Sequence, residues 1–153
     1  MRIEPADASS EESQRLLASY FAELARTFPA GFDPNAGTTN DDPVEISPPR
    51  GVFLVVRDDD GTAVGCGGLK LLDGDTAEIK RMWLDPATRG RGLGALLLDA
   101  LEDQARKLGA TEGVLDTNAT LEAALTLYRL HGWREVPAYN DNPYATHWFA
   151  KEL

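Results

Sequence analysis

The segment Arg89-Gly90-Arg91-Gly92-Leu93-Gly94-Ala95 has the residue types and spacing to hold a phosphate, and it lies between a strand-like and a helix-like segment. Three glycines let the backbone turn tightly and remove Cβ atoms that would keep a ligand away. Free N–H groups at the start of the following helix point outward, with the positive end of the helix dipole behind them. That combination is a ready anion site. Arg89 and Arg91 add two fixed positive charges. From Lys80 to Arg91 there are four basic residues, Lys80, Arg81, Arg89 and Arg91, against one acid, Asp85, whereas the chain of 153 residues carries a formal charge of −10. Screening at physiological salt acts over about 8 Å, so a phosphate in the loop feels the local arginines more than the distant acids. A basic island in an acidic protein points to a defined anionic ligand. The plainer alternative is a tight turn with solvated arginines.

Two phosphate chemistries compete for such a loop. It is not a Walker loop, because the terminal Gly-Lys-Ser/Thr is missing. Gly90, Gly92 and Ala95 do satisfy the dinucleotide pattern G-x-G-x-x-A, and Asp116 ends the next strand about 20 residues on. Against that reading, a dinucleotide fold begins with this unit and continues through several parallel strands. Here three antiparallel strands precede the loop, and fewer than 40 residues follow Asp116.

The elements that must position the loop are legible from periodicity. A short strand at Arg2 to Pro5 precedes a helix opened by Ser9 and Ser10, on which Leu16, Leu17, Tyr20, Phe21, Leu24 and Phe28 recur at three- and four-residue steps. Pro29 and Gly31 stop it. The proline-rich, polar stretch from Pro29 to Pro49 reads as a long surface loop. Gly51–Arg57, Thr62–Leu72 and Thr76–Leu84 are strands joined by Asp/Gly turns, hence an antiparallel meander. Leu93–Leu108 is an amphipathic helix ended by Gly109, Val114–Thr117 a strand and Leu121–His131 a helix closed by Gly132. Trp133–Val136 and Ala145–Ala150 form a last strand pair. The order β, α, three strands, α, β, α, strand pair predicts an α/β (α+β) fold: a mixed, mostly antiparallel sheet flanked by helices.

Composition narrows the function. The length suits one domain over residues 1–153. A pI near 4.6 argues against nucleic acid and against anionic membrane surfaces as partners. No apolar run reaches the roughly 18 residues needed to span a bilayer, and Met1-Arg2-Ile3-Glu4-Pro5 lacks the apolar core of a signal peptide. The expectation is a soluble cytoplasmic protein. Cys66, alone of its kind, makes no internal disulfide, and with His131 and His147 in separate segments no metal site is expected.

Several motifs in the right order resemble one family. Arg89-Gly90-Arg91-Gly92-Leu93-Gly94 looks like the R-x-x-G-x-G acetyl-CoA signature of the Gcn5-related N-acetyltransferases. Ala77 to Pro86 is similar to that family's central strand and its exit. Ala123-Ala124-Leu125-Thr126-Leu127-Tyr128-Arg129-Leu130-His131-Gly132-Trp133 resembles its A-x-x-L-Y-x-x-x-G-F helix end, with Trp for Phe. The resemblance runs from about Gly51 to the C-terminus. The segment Tyr139-Asn140-Asp141-Asn142-Pro143-Tyr144-Ala145 is similar to a stand-alone bacterial branch.

The resemblance implies an acyl-CoA N-acyltransferase fold, with acetyl-CoA as co-substrate and no metal. Arg89, Gly90, Arg91, Gly92, Leu93, Gly94 and Ala95 would hold the pyrophosphate. The backbone of Met82, Trp83 and Leu84 would pair with the pantetheine arm as an added strand. A primary amine on a small molecule or protein would attack the thioester directly. A lysine-like amine is mostly protonated at pH 7, and deprotonating it costs roughly 4.6 kcal/mol, so a base must take the proton. Glu78 is the candidate base, with a solvent-facing strand residue beside Lys80 as the other reading. Simple alternation places Glu78, Lys80 and Met82 on one face. Tyr128 occupies the family's general-acid position, with a packed core aromatic as the other reading. Many members carry Asn seven residues before that tyrosine. Here it is Leu121, and Asn118 is the nearest substitute, either touching the cofactor arm or starting the helix.

Cys66 lacks a neighbouring His or Asp at nucleophile spacing. His147 either faces an acceptor pocket or packs, and Tyr139, Asn140, Asn142 and Tyr144 either wall an acceptor site or form an ordinary turn. The sequence leaves monomer and homodimer both open. A second reading of the whole chain is a non-catalytic acyl-CoA-binding sensor on the same fold.

Overall fold

The computed structural model describes residues 1–33 and 43–153. Its elements in chain order are β1 (Arg2–Pro5), α1 (Glu11–Thr27), β2 (Gly51–Arg57), β3 (Ala63–Leu71), β4 (Thr76–Leu84), α2 (Leu93–Lys107), β5 (Glu112–Thr117), α3 (Glu122–Leu130), β6 (Arg134–Val136) and β7 (His147–Glu152). Among the described residues the strands form one sheet in the order β1-β2-β3-β4-β5-β7-β6. The pairs are antiparallel except β4 with β5.

The helices begin where local chemistry favours it. The Ser10 side chain accepts a hydrogen bond from the Ser13 N–H, and Glu11 and Glu12 stand in the first turn of α1, toward the positive end of its dipole. Gly92, with φ 77°, starts α2 in a left-handed conformation that a side chain would disfavour. Two helical layers cover the sheet. Leu97, Leu98 and Leu101 of α2 and Leu125 and Tyr128 of α3 pack in one core with Val52, Leu54 and Val56. Leu16 and Leu17 of α1 pack in a second core with Phe53 and Val55. Alternation along β2 thus feeds both cores, which explains its uninterrupted apolar run.

Glu102 is buried on α2, accepting hydrogen bonds from Trp133 Nε1 at 3.3 Å and Lys151 Nζ at 2.7 Å. A lone buried carboxylate would be costly, and these donors compensate it. They also tie α2 to the C-terminal strands. At the opposite edge, Arg57 bridges Glu4 of β1 and Glu12 of α1.

Three expectations are corrected. β7 runs from His147 to Glu152, shifted from Ala145–Ala150, because its partner β5 extends back to Glu112, which lies opposite Glu152. The stretch from Pro29 to Pro49 is not wholly a surface loop. Pro43–Ile46 form a 3₁₀ turn whose Ile46 is 2% exposed and packs on Phe53 and Cys66. The middle of that stretch lies outside the described residues. Finally, Glu78, Lys80 and Met82 do not share a face. The β3–β4 register pairs Gly68 with Lys80 but Cys66 with Trp83, so two residues of β4 oppose Gly67. Arg81, at φ 60°, absorbs the extra residue. Such a bulge reverses the alternation beyond it. Met82 therefore packs toward α2, close to Gly67 and its neighbours Leu97 and Leu101, while Trp83 joins the α1 core.

Candidate active site

The site lies where β4 and β5 separate. Their pairing comprises Thr76 with Glu112, Ala77 with Gly113 and Glu78 with Val114, and stops there. Met82, Trp83 and Leu84 lie beyond that point, and β4 runs on into the glycine loop.

One cavity, of about 360 Å³, opens on the glycine-loop side. It is lined by Met82, Trp83 and Leu84 from β4, by Gly90, Gly92, Leu93, Gly94 and Ala95 from the loop, and by Leu121, Ala124 and Tyr128 near α3. The first helical bond of α2 runs from Leu96 N to Gly92 O at 3.4 Å. The N–H groups of Leu93, Gly94 and Ala95 therefore have no acceptor inside the helix. Gly90 and Gly92 have φ 84° and 77°, and no atom lies within 4 Å of where their Cβ would sit. Arg91 is exposed. Arg89 and Glu23 also line this cavity, and they are paired there: the guanidinium donates to both Glu23 carboxylate oxygens, at 2.7 and 3.0 Å, and to Leu84 O at 3.0 Å.

A second cavity, of about 280 Å³, lies on the other side of the split. Its polar end holds Glu78, Lys80, Arg81 and Asp116, and its apolar end is a ring cluster. Tyr144 stacks on Phe28 with ring centres 5.8 Å apart and lies 4.7 Å from Phe32. The Tyr144 hydroxyl accepts the Asp33 N–H at 2.9 Å. Tyr20 completes the apolar side. Burial pushes its phenol up to about 12, with the neighbouring Arg81 acting the other way. The two cavities share Tyr20, Leu24, Met82, Leu121, Ala124 and Tyr128 in their walls, so they meet alongside α3.

Glu78 is 6% exposed. It accepts Tyr139 Oη at 2.7 Å and Lys80 Nζ at 3.1 Å, one on each carboxylate oxygen. It is a buried, paired carboxylate facing the cavity, not a solvated strand residue. Tyr139 is held well above the ordinary phenol range, first by burial and then by the Glu78 charge beside it, so it stays a donor. Asp116 accepts Asn140 Nδ2 at 2.6 Å and Asn142 Nδ2 at 3.1 Å. Burial raises its carboxyl above the usual range, and these two bonds oppose the rise. Asn140 Oδ1 in turn accepts Trp148 Nε1, and Asn142 Oδ1 accepts the Tyr144 N–H. The Tyr139–Tyr144 loop is thus pinned to β5 and forms a wall of the cavity.

Tyr128 is 7% exposed and its hydroxyl lies 3.8 Å from Met82 Sδ, a weak acceptor. Burial holds its phenol above the ordinary range. Asn118 lines the second cavity and not the glycine-loop cavity. Its side chain donates to Tyr144 O at 2.7 Å and accepts the Thr120 N–H. His147 accompanies neither cavity; its Nδ1 lies 2.8 Å from Thr146 Oγ1. Cys66 is buried with its thiol 3.4 Å from Arg81 O, and burial pushes it up to about 12.

Sequence reasoning missed several cavity residues. Tyr20, Leu24 and Phe28 lie on one helical stripe and read as core, yet they also face the cavity. By sequence, Asp116 reads only as a dinucleotide acid. Its place at the end of a strand followed by a polar loop rich in Asn was the available signal.

The fold is a mixed seven-stranded sheet that splits beside a glycine-headed helix, and comparison with known proteins identifies its class. Residues 17–133 match the profile of the acetyltransferase (GNAT) family. A Schizosaccharomyces pombe protein called an uncharacterized N-acetyltransferase is 40% identical over 100 residues, which cover 65% of this chain and 61% of that protein. The Escherichia coli protein called uncharacterized N-acetyltransferase YjgM is 31% identical over 128 residues, 80% of this chain and 74% of its own. The PaiA N-acetyltransferase of Thermoplasma acidophilum, solved in complex with coenzyme A, shares the fold with a TM-score of 0.75 at 19% identity over 100% of both chains. The chain belongs to the acetyltransferase (GNAT) family. Among the described residues no helix is long and apolar enough to cross a membrane, and no group of three or more His, Cys, Asp or Glu could hold a metal ion.

Proposed function

We propose that this protein is an acetyl-CoA-dependent N-acetyltransferase that acetylates a primary amine by direct attack on the thioester. The observation that carries the reading is the split between β4 and β5, with one cavity on each side meeting at Tyr128. One cavity carries bare loop amides and the other carries a buried carboxylate.

The residues present fit acetyl-CoA. The amides of Leu93, Gly94 and Ala95 and the open space over Gly90 and Gly92 suit a pyrophosphate. The strand past Glu78 suits an amide-bearing arm laid along Met82 to Leu84. Acetyl-CoA supplies the activated acetyl group. Arg91 adds charge near the phosphate, while Arg89 must leave Glu23 to join it. Glu78 receives the proton that the ammonium acceptor loses before attack, and Lys80 and Tyr139 hold the carboxylate in place. Tyr128, which keeps its proton, gives it to the departing sulfur and recovers one from solvent. The amide N–C bond forms, the nitrogen gives up its second proton to solvent as the C–S bond breaks, and free thiol is released.

Thiol release measured with an amine panel, beside calorimetry with acetyl-CoA, tests the reading. Binding heat together with acceptor-dependent thiol release is expected, and Glu78→Gln should lower turnover by about 10²-fold with the heat retained. Absence of binding heat would overturn the assignment. A non-catalytic acyl-CoA sensor is the second reading, favoured by the fact that both Glu78 oxygens already have partners. Thermal stabilisation by acetyl-CoA without turnover on any amine would establish it.

A further inference from the structure

The charged groups lining the second cavity answer one another. Glu78 is held by Lys80 and Tyr139, and Asp116 by Asn140 and Asn142. Lys70 pairs with Glu45 at 3.7 Å, and Arg81 lies over the Phe21 ring at 5.1 Å and bonds Tyr20. The Tyr144 hydroxyl is engaged by the Asp33 N–H. Among the described residues no buried side-chain nitrogen or oxygen lacks a hydrogen-bond partner. A polar group on a ligand that displaced one of these bonds would gain little, because the new bond replaces an old one. Glu78 can still take a proton, since a carboxylate offers about four lone-pair sites and its two printed bonds leave room.

The apolar end has no internal partner to exchange. Phe28, Phe32 and Tyr144 form a contiguous ring cluster, with centres 4.7 to 5.8 Å apart, and Leu24 lies in the same wall. Phe32 and Tyr144 are only half-buried, so folding leaves ring surface that a ligand would take from water. The volume of about 280 Å³ is at the lower end of small-ligand sites, which run from roughly 300 Å³ upward.

Resting on the acetyltransferase reading, we propose that the acceptor is a small primary amine with an apolar body, seated on Phe28, Phe32 and Tyr144 and selected by that body and not by a second polar or charged group. Its amine lies toward Glu78. The ammonium loses one proton to Glu78, the nitrogen forms the amide bond and gives its second proton to solvent, and the thiol leaves. The product is an uncharged N-substituted acetamide. Selection then rests on apolar contact, where one methylene in a fitting pocket is worth about 10- to 200-fold.

The test uses the full chain and four primary amines: phenethylamine and isopentylamine, with apolar bodies, ethanolamine, with a hydroxyl, and putrescine, with a second charge. Thiol release gives kcat/KM for each, and calorimetry gives acetyl-CoA binding. The two apolar amines should exceed the two polar ones by at least about tenfold. Tyr144→Ala and Phe32→Ala should narrow the ratio of phenethylamine to ethanolamine with the heat of acetyl-CoA binding retained, and Phe32→Leu, which keeps part of the apolar surface, should narrow it less. A wild-type ratio below about tenfold, or one that the variants leave unchanged, would overturn this inference and leave the acetyltransferase reading standing. So would acetyl-CoA binding with none of the four acetylated. Absence of acetyl-CoA binding heat in the wild type would overturn both.

Discussion

Tyr128 shows how one side chain can be both core and chemistry. Its ring lies 5.9 Å from Phe149 and 6.3 Å from Trp133, while its hydroxyl reaches the junction of the two cavities. Burial holds the phenol protonated through neutral pH, so it can donate but cannot act as a base there. Removing only the hydroxyl keeps the ring packing and deletes the donor. Tyr128→Phe should therefore lower kcat by about 10²-fold while acetyl-CoA affinity and melting temperature stay near wild type; an unchanged kcat would exclude Tyr128 from the proton path. Cys66 is the opposite case. With its thiol pushed up to about 12 and no exposed surface, about one thiol in 10⁴ is ionised at pH 8. Native protein should resist iodoacetamide at pH 8 and react in urea, followed by mass. Raising the pH toward 12 ionises the thiol, but reaction still requires opening of the β3–β4 core. Fast native labelling at pH 8 would contradict the burial.

At the scale of elements, the glycine loop and the bulge of β4 do complementary work. The loop turns the chain into α2 with its amides bare, and the bulge sets Met82 and Trp83 on opposite faces. Gly90 and Gly92 hold positive φ with open space above them, so an added methyl strains the backbone without meeting a neighbour. Gly90→Ala and Gly92→Ala should each cost about 1–2 kcal/mol of stability, or about 2–8 °C in Tm. Their effect on acetyl-CoA affinity, read by calorimetry, should be larger, because the methyl also stands where the ligand would approach. Equal affinity in either variant would remove the loop from binding. This loop was legible in the sequence because glycine spacing is a local signal. The strands and helices were legible for the same reason, through periodicity. The bulge at Arg81 was not, since it depends on how β4 registers against β3, and nothing within Thr76–Leu84 alone marks it. Nor was the ring cluster: Tyr20, Leu24 and Phe28 repeat at four-residue steps whether they face a core or a cavity, and Phe32 and Tyr144 meet them across 112 residues of chain. Glu78 was legible as a candidate by type, with Lys80 two residues along the same strand, but its partner Tyr139 was fixed only by the loop between β6 and β7 closing over the split.

At the scale of the whole molecule, the charge of −10 and the basic glycine loop act on an anionic ligand over different distances. A chain of this length has a radius of gyration of about 15 Å. At 0.01 M ionic strength the Debye length is about 30 Å, so an approaching polyanion such as acetyl-CoA feels the net negative charge of the entire molecule. At 0.15 M the length falls to about 8 Å, and the ligand at the loop feels chiefly Arg91, the α2 amides and whatever Arg89 yields from its pairing with Glu23. The long-range term is then repulsive and easily screened, while the short-range term is attractive and persists. Raising salt from 0.01 to 0.15 M should therefore increase the association rate of acetyl-CoA in stopped-flow, with a much smaller change in the dissociation rate. Glu23→Gln should add to the association rate at every salt concentration, because it removes one negative charge beside the loop and frees Arg89 toward the ligand. A rate that falls steadily with salt from 0.01 M would mean that the basic island governs the approach even at long range, and the distribution of charge drawn here would have to be reversed.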